Sequence, residues 1–118
     1  MTENWHVIGD RVLFDLAAII KKVVRNSDFI GRYGGEEFMV IFRGTDLSIA
    51  GKVSERIRLA VESYDFAEGL SITISGGISQ YNGETMTEFI HLADLNLYTA
   101  KKNGKNQIVS AIESSIHA

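Results

Sequence analysis

The residues with the clearest chemical potential are consecutive: Arg32-Tyr33-Gly34-Gly35-Glu36-Glu37-Phe38. A glycine pair at a hairpin tip leaves no Cβ, so a base or a phosphate can approach the backbone. Two adjacent carboxylates follow. Neighbouring strand residues point to opposite faces, which gives Glu36 and Glu37 different roles, one toward a ligand and one toward the interior or a supporting position. Carboxylates at a turn suit Mg²⁺, a hard cation often held by one or two carboxylates together with substrate phosphates. The plain alternative is an acidic hairpin tip with no ligand.

Other groups could serve the same chemistry. Arg25-Asn26-Ser27-Asp28 lies just upstream of the glycines. Read alone it is a surface Arg–Asp pair of little energetic weight. Lys101 and Lys105 fall near a helix end, where two lysines are ordinarily just solvated. Asp10 reads as a helix cap. Arg58 and Glu62 are spaced to pair on one helix face. His91 has no neighbours that suggest a metal.

The elements that position these groups follow from periodicity and turn residues. Asp10 starts a helix to about Asn26, with Leu13, Leu16, Ala17, Ile20 and Val24 on one face. Lys21, Lys22 and Arg25 sit near its C-terminal end, where the helix dipole favours cations. Phe29–Tyr33 reads as a strand, Gly34-Gly35 as a hairpin turn, and Glu36–Arg43 as the return strand. The run Phe38–Phe42 is apolar on both faces and is expected to be covered on both. A second helix runs from about Leu47 to Tyr64, with Ile49, Val53, Ile57, Ala60 and Tyr64 as its buried stripe. Leu70–Ser79 alternates strictly, as a strand does. Thr87 caps a third helix that stops at Asn103-Gly104. Asn106–Ser110 is a last strand, and residues 111–118 form a tail. The order α-β-β-α-β-α-β describes an α/β (α+β) fold, one sheet with helices packed on it.

Composition sets limits. The chain has 118 residues, room for one domain, and a net charge of −3. A mildly acidic chain has no electrostatic reason to bind nucleic acid. It has no cysteine, which excludes disulfides and thiolate metal sites. No apolar run is long enough to span a membrane, and the first residues have no signal-peptide pattern.

Further motifs stand at ordered spacing around the central one: Ser75-Gly76-Gly77-Ile78, then Ala93-Asp94-Leu95-Asn96-Leu97-Tyr98-Thr99-Ala100-Lys101, then Gly104-Lys105-Asn106. Together with Arg25-x-x-Asp28 and Gly34-Gly35-Glu36-Glu37-Phe38, they resemble the GGDEF family of bacterial diguanylate cyclases from about His6 to Val109. The resemblance implies a nucleotide-cyclase palm-like sheet and the condensation of two GTP molecules into cyclic di-GMP, with loss of pyrophosphate. It implies Mg²⁺ or Mn²⁺ as cofactor and a second GGDEF domain as catalytic partner. It implies a cytoplasmic domain that touches neither nucleic acid nor membrane, and leaves open a membrane anchor elsewhere in the parent protein.

Carried over by position, Glu36 is a metal ligand and Glu37 assists the metal or the attacking hydroxyl. Gly34 and Gly35 lie against the nucleotide, and Asp10 accepts from the guanine edge. Lys101 and Lys105 neutralise the terminal phosphates; Lys105 stands where arginine is more usual, keeping the charge without the bidentate fork. Arg25 and Asp28, with Arg58 as a secondary contact, match the site where product binds and stops turnover. Ala93, Leu97 and Tyr98 are expected in the core. Asn96 replaces a common alanine. Trp5 stands where glycine is usual, so the loop before Asp10 is expected to differ.

The resemblance also implies an absence. Family members begin with a central strand carrying a metal-binding aspartate, and in register that strand falls before residue 1. A truncated sheet must close its gap, borrow a strand or associate through open edges. The lost carboxylate lowers affinity for two cations, so this chain alone is expected to be impaired. The rival functions are a non-catalytic module binding GTP or cyclic di-GMP, and a structural dimerisation domain.

Overall fold

The computed structural model describes the backbone of residues 2–34 and 37–110, with side chains from residue 9 onward. The elements are α1 (Thr2–Val23), β1 (Phe29–Gly34), β2 (Glu37–Ile41), α2 (Leu47–Glu62), a 3₁₀ turn (Ala67–Gly69), β3 (Gly76–Ile78), α3 (Met86–Lys102) and β4 (Ile108–Ser110). The order of helices and strands is the expected one. The tail expected over residues 111–118 lies outside the described residues.

Several boundaries differ for identifiable reasons. Nothing between Thr2 and Asp10 breaks a helix except Gly9, so α1 starts well before Asp10. Asp10 is therefore an exposed mid-helix residue rather than a cap, and the loop expected before it is helical. The cap of α3 is Thr85, not Thr87. Its hydroxyl accepts from the Glu88 N–H at 3.2 Å, and the Glu88 carboxylate reaches back to the Thr85 N–H at 3.2 Å, a reciprocal capping box. Asp46 caps α2 by accepting from the Ile49 N–H at 2.9 Å.

The main core is formed by Leu16, Ile19 and Ile20 of α1, Ile57 and Val61 of α2, and Phe66. Phe38, Val40, Ile72 and Ile74 pack against it. The buried stripe of α2 is Leu47, Ala50, Ser54, Ile57 and Val61, one step round from the expected stripe, and Ile49 is 51% exposed. Phe38–Val40 are partly buried while Ile41 is exposed, so the return strand is covered less completely than its apolar run suggests.

Among the described residues the strands form two separate sheets. β1 and β2 pair antiparallel, with Phe29 opposite Ile41 and Gly34 opposite Glu37, and a bulge between Arg32 and Gly34. β3 and β4 pair parallel, Gly76 with Ile108 through Ile78 with Ser110. Among the described residues no ladder joins β2 to β3. The expected strand over Leu70–Ser79 is consequently a ladder only at Gly76–Ile78. Ile72 and Ile74 remain turned to the core and Ser71 and Thr73 to solvent, so the alternation survives without a partner strand. Backbone groups in such a stretch rely on water.

α3 lies directly on β3. A Cβ at Gly77 would come within 2.2 Å of the Ala93 carbonyl oxygen and 2.2 Å of the Leu97 nitrogen, so no residue but glycine permits this approach. Asn96, buried in α3, donates from Nδ2 to the Ile78 carbonyl at 2.9 Å, giving a polar tie where alanine would offer none.

Two outcomes follow from this packing. Phe66→Ala, at a side chain 2% exposed, is expected to cost about 3–5 kcal/mol in urea unfolding, whereas Phe14→Ala, 73% exposed, should stay within about 0.5 kcal/mol. In native-state hydrogen exchange, the Ser71–Ser75 amides should exchange much faster than those of Ile57–Val61 in α2. Equal protection of the two stretches would show that Ser71–Ser75 has a partner strand.

Candidate functional site

The hairpin and α3 bring together residues from both ends of the motif set. Gly34 ends β1 and pairs with Glu37, the first residue of β2, so the residues between them are 35 and 36. Gly34 is thus the last residue of a strand and not part of the turn that the glycine pair suggests. Gly35 and Glu36, the expected nucleotide contact and metal ligand, lie outside the described residues. A Cβ at Gly34 would meet nothing within 4 Å, so its surface is open to a ligand.

Glu37 shares a cavity of about 240 Å³ with Asp94, Leu97, Tyr98 and Lys101 of α3. Residues 94, 97, 98 and 101 fall on one helical stripe, because residues three and four apart are neighbours on a helix. Close contact at Gly77 holds that helix near the sheet. Glu37 and Lys101 thus line one cavity although they stand far apart in the chain. The core position expected for Tyr98 is not observed: the side chain is 65% exposed, because it faces the cavity. A larger cavity of about 340 Å³ lies beside α2, lined by Leu47, Ser48, Gly51, Glu55, Ile78, Ile108 and Ser110. It has no cation and offers little to a polyphosphate.

Lys105 is not part of the lining of either cavity. It follows the end of α3 in a left-handed run, Gly104 (φ 112°), Lys105 (φ 64°) and Asn106 (φ 50°). For non-glycine residues this conformation is unfavourable and must be held by its surroundings. The Lys105 N–H donates to the Ala100 carbonyl at 2.9 Å and the Asn106 N–H to Ser75 Oγ at 3.1 Å. The Asn106 side chain donates to Glu62 at 2.7 Å and accepts from Arg58 Nη1 at 2.8 Å.

Arg58 is therefore engaged by structure. Its guanidinium also makes two hydrogen bonds to Glu55, and Glu62 lies at 3.9 Å. The pairing with Glu55 raises the Arg58 pKa and lowers that of Glu55, against the smaller opposing effect of burial. Glu55 is a more intimate partner than the expected Glu62. None of the hydrogen bonds of Arg58 reaches Arg25 or Asp28. Its contribution is to hold the loop carrying Lys105 through Asn106, a residue whose role the sequence alone does not reveal.

Arg25 and Asp28 form a compact unit at the end of α1. The Asp28 side chain is 1% exposed and accepts from the Arg25 N–H (2.9 Å), Arg25 Nη2 (3.0 Å) and the Arg43 N–H (3.4 Å). Hydrogen bonding to the Arg25 side chain, which outweighs the opposing effect of burial, holds the Asp28 carboxyl below its usual pKa. Arg25 Nη2 also donates to the Arg43 carbonyl at 2.8 Å and to Thr45 Oγ1. Arg25 is nonetheless 56% exposed, so its guanidinium is fixed in direction and still open to a ligand.

Among the described residues no group of three or more histidine, cysteine or acidic side chains gathers to hold a metal. Two carboxylates, Glu37 and Asp94, line one cavity with Lys101, so hard oxygen donors of the kind that hold a divalent cation stand beside an ammonium that suits phosphate. Among the described residues no helix is long and apolar enough to cross a membrane.

Comparison with known proteins gives the family of the chain. The family described as "Diguanylate cyclase, GGDEF domain" matches residues 4–107. Diguanylate cyclase A of Treponema denticola is 44% identical over 109 residues, covering 87% of this chain and 29% of that protein. The response regulator PleD of Caulobacter vibrioides is 41% identical over 111 residues, covering 88% of this chain and 24% of PleD. The chain thus spans less than a third of the length of these curated relatives. Among solved structures, the GGDEF domain of DgcB from Caulobacter crescentus in complex with c-di-GMP superposes with a TM-score of 0.84 at 32% identity, covering 92% of this chain and 68% of that one. The active GGEEF domain of a diguanylate cyclase from Vibrio cholerae gives a TM-score of 0.81 at 32% identity, covering 86% of this chain and 67% of that one. A family match across nearly the whole chain, with its motifs on the hairpin and on α3, makes this chain a member of the GGDEF diguanylate cyclase domain family.

Proposed function

We propose that this domain condenses two GTP molecules into cyclic di-GMP, the 3′-hydroxyl of one attacking the α-phosphorus of the other and pyrophosphate leaving. The supporting observation is that Glu37 of the signature hairpin and Lys101 of α3 line one cavity. Two domains, each holding one GTP, face each other in this reading. Phosphoryl-type transfer depends mainly on positioning and charge neutralisation. Lys101 neutralises the terminal phosphates as they depart, and Lys105 assists from the loop that Asn106 and Arg58 fix. Gly34 and Gly35 let the nucleotide lie against the hairpin, Asp10 accepts from the guanine edge, and Glu37 receives or orients the proton of the attacking hydroxyl. Glu36, with help from Glu37, would hold Mg²⁺ or Mn²⁺, which would supply charge neutralisation at the phosphate and lower the pKa of the hydroxyl.

A second reading is favoured by the edge of β2, which has no partner strand among the described residues and whose first residue is Glu37. A sheet broken beside the site leaves the carboxylate less firmly placed, and the chain alone then binds GTP or cyclic di-GMP without turnover. Incubating the chain at high concentration with GTP and Mg²⁺, and following cyclic di-GMP by chromatography, separates the readings. Product that disappears in Glu37→Gln and Lys101→Ala supports the cyclase. Binding without product supports the second reading, and neither binding nor product sinks both.

Product feedback is assigned to Arg25-x-x-Asp28, because the exposed guanidinium is aimed by a buried carboxylate and can pair with guanine O6 and N7. Arg25→Ala should weaken cyclic di-GMP binding at least tenfold, taking roughly 1.4 kcal/mol as the value of one good bidentate contact. Asp28 should show itself in stability. Its pKa is lowered in the folded state, so its contribution is complete above the unfolded value near 3.8 and is lost as pH falls through the folded value. In urea unfolding, Asp28→Asn should be less stable than the parent by about 1–3 kcal/mol at pH 7. The gap should narrow as pH is taken below about 4. A gap independent of pH would contradict the pairing.

A further inference from the structure

The cavity at the hairpin contains two side chains to which the reaction above gives no role, Asp94 and Tyr98. They share the α3 stripe with Lys101, which runs about 10 Å along the helix from Asp94 to Lys101 at 1.5 Å per residue. Tyr98 is 65% exposed, although its place in the motif leads one to expect a core residue. Among the described residues, the side chains of Glu37, Asp94, Tyr98 and Lys101 make no hydrogen bond or ion pair with each other or with anything else. Two carboxylates, a phenol and an ammonium therefore face one cavity with their bonding capacity unused.

The charge of that cavity is informative. Among the described residues, Glu37 and Asp94 against Lys101 leave a net −1, and even counting Lys105 from the loop after α3 the sum only reaches zero. A bare triphosphate is repelled by such a surface, whereas one that carries a divalent cation is not. Resting on the nucleotide reading above, we propose that Asp94 and Tyr98 make the site selective for a cation-loaded nucleotide. The Tyr98 hydroxyl donates to a phosphate oxygen next to Lys101. Asp94, at the opposite end of the stripe, faces the cation and penalises the nucleotide that lacks one. Asp94 is thus a specificity determinant and Tyr98 a binding residue.

The test is the affinity of the chain for a non-hydrolysable GTP analogue, measured by calorimetry with Mg²⁺ and again with a chelator. The unaltered chain should bind at least about tenfold more tightly with Mg²⁺. Asp94→Asn should lose most of that preference, chiefly by binding the cation-free analogue about tenfold better, the scale of removing one nearby like charge. Tyr98→Phe should weaken binding about three- to tenfold in both conditions, as loss of one hydrogen bond does. Both positions are exposed, so a thermal melt should find the variants folded. Lys101→Ala provides the control. If it weakens binding while Asp94→Asn and Tyr98→Phe match the unaltered chain in both conditions, the inference fails and the nucleotide reading stands. If the unaltered chain binds the analogue in neither condition, the nucleotide reading fails and takes the inference with it.

Discussion

The approach of α3 to β3 at Gly77 is the contact on which the site depends. The helix backbone occupies the space that any side chain at that position would need. This closeness is a packing constraint, not a large energy term by itself. Its effect is to fix where the Asp94–Lys101 stripe lies relative to the hairpin. The Asn96 bond to the Ile78 carbonyl fixes the same helix by a second point of attachment. Two points of attachment define where the stripe sits more closely than one could. The glycine at 77 thus acts on function from a distance: it touches no ligand, but it puts a cation and a phenol opposite a carboxylate from the other half of the chain.

The second constraint is the break in the sheet. β1–β2 and β3–β4 are each marginal as isolated two-stranded units, and each is supported by helices instead. The α1–α2–Phe66 core holds the hairpin through Phe38 and Val40, and the same core holds Ile72 and Ile74. Side-chain burial thus keeps the two halves in register where hydrogen bonds do not. The edges left open carry little that would discourage pairing, for Leu70–Ser79 contains no charge and no proline. Order in this region comes from the hydrophobic effect, which is non-directional. That is a weaker way to place a carboxylate such as Glu37 than a complete ladder would be.

Much of this was legible in the residues. The turn glycines, the strand after them and the helix ending at Asn103-Gly104 are local features, and local chemistry sets them. So is the Arg25–Asp28 unit, whose partners are three residues apart. What could not be read depends on long-range packing. The α2 stripe was misplaced because Ile49/Val53/Ile57 and Ala50/Ser54/Ile57 both satisfy helical spacing, and only contact with α1 and the sheet decides between them. The ladder over Leu70–Ser75 failed because alternation reports which face is buried and not whether a strand lies alongside. Tyr98 was misassigned because an aromatic at helical spacing is usually core, and its cavity is formed by a hairpin distant in sequence. Asn106 as a partner of Arg58 is hidden for the same reason, since it comes from another element, whereas Glu55 lies three residues away on the same helix and satisfies helical spacing as well as Glu62 does.

The central claim is that the nucleotide sits between β2 and α3. The most direct measurement is a two-dimensional amide NMR titration of the labelled chain with a non-hydrolysable GTP analogue and Mg²⁺. The account predicts that the shifts concentrate at Gly34, Glu37, Asp94, Leu97, Tyr98 and Lys101, with the Leu47–Gly51 turn and Ile108 left in place. Shifts centred on Leu47–Gly51 and Ile108, around the larger cavity beside α2, would contradict it.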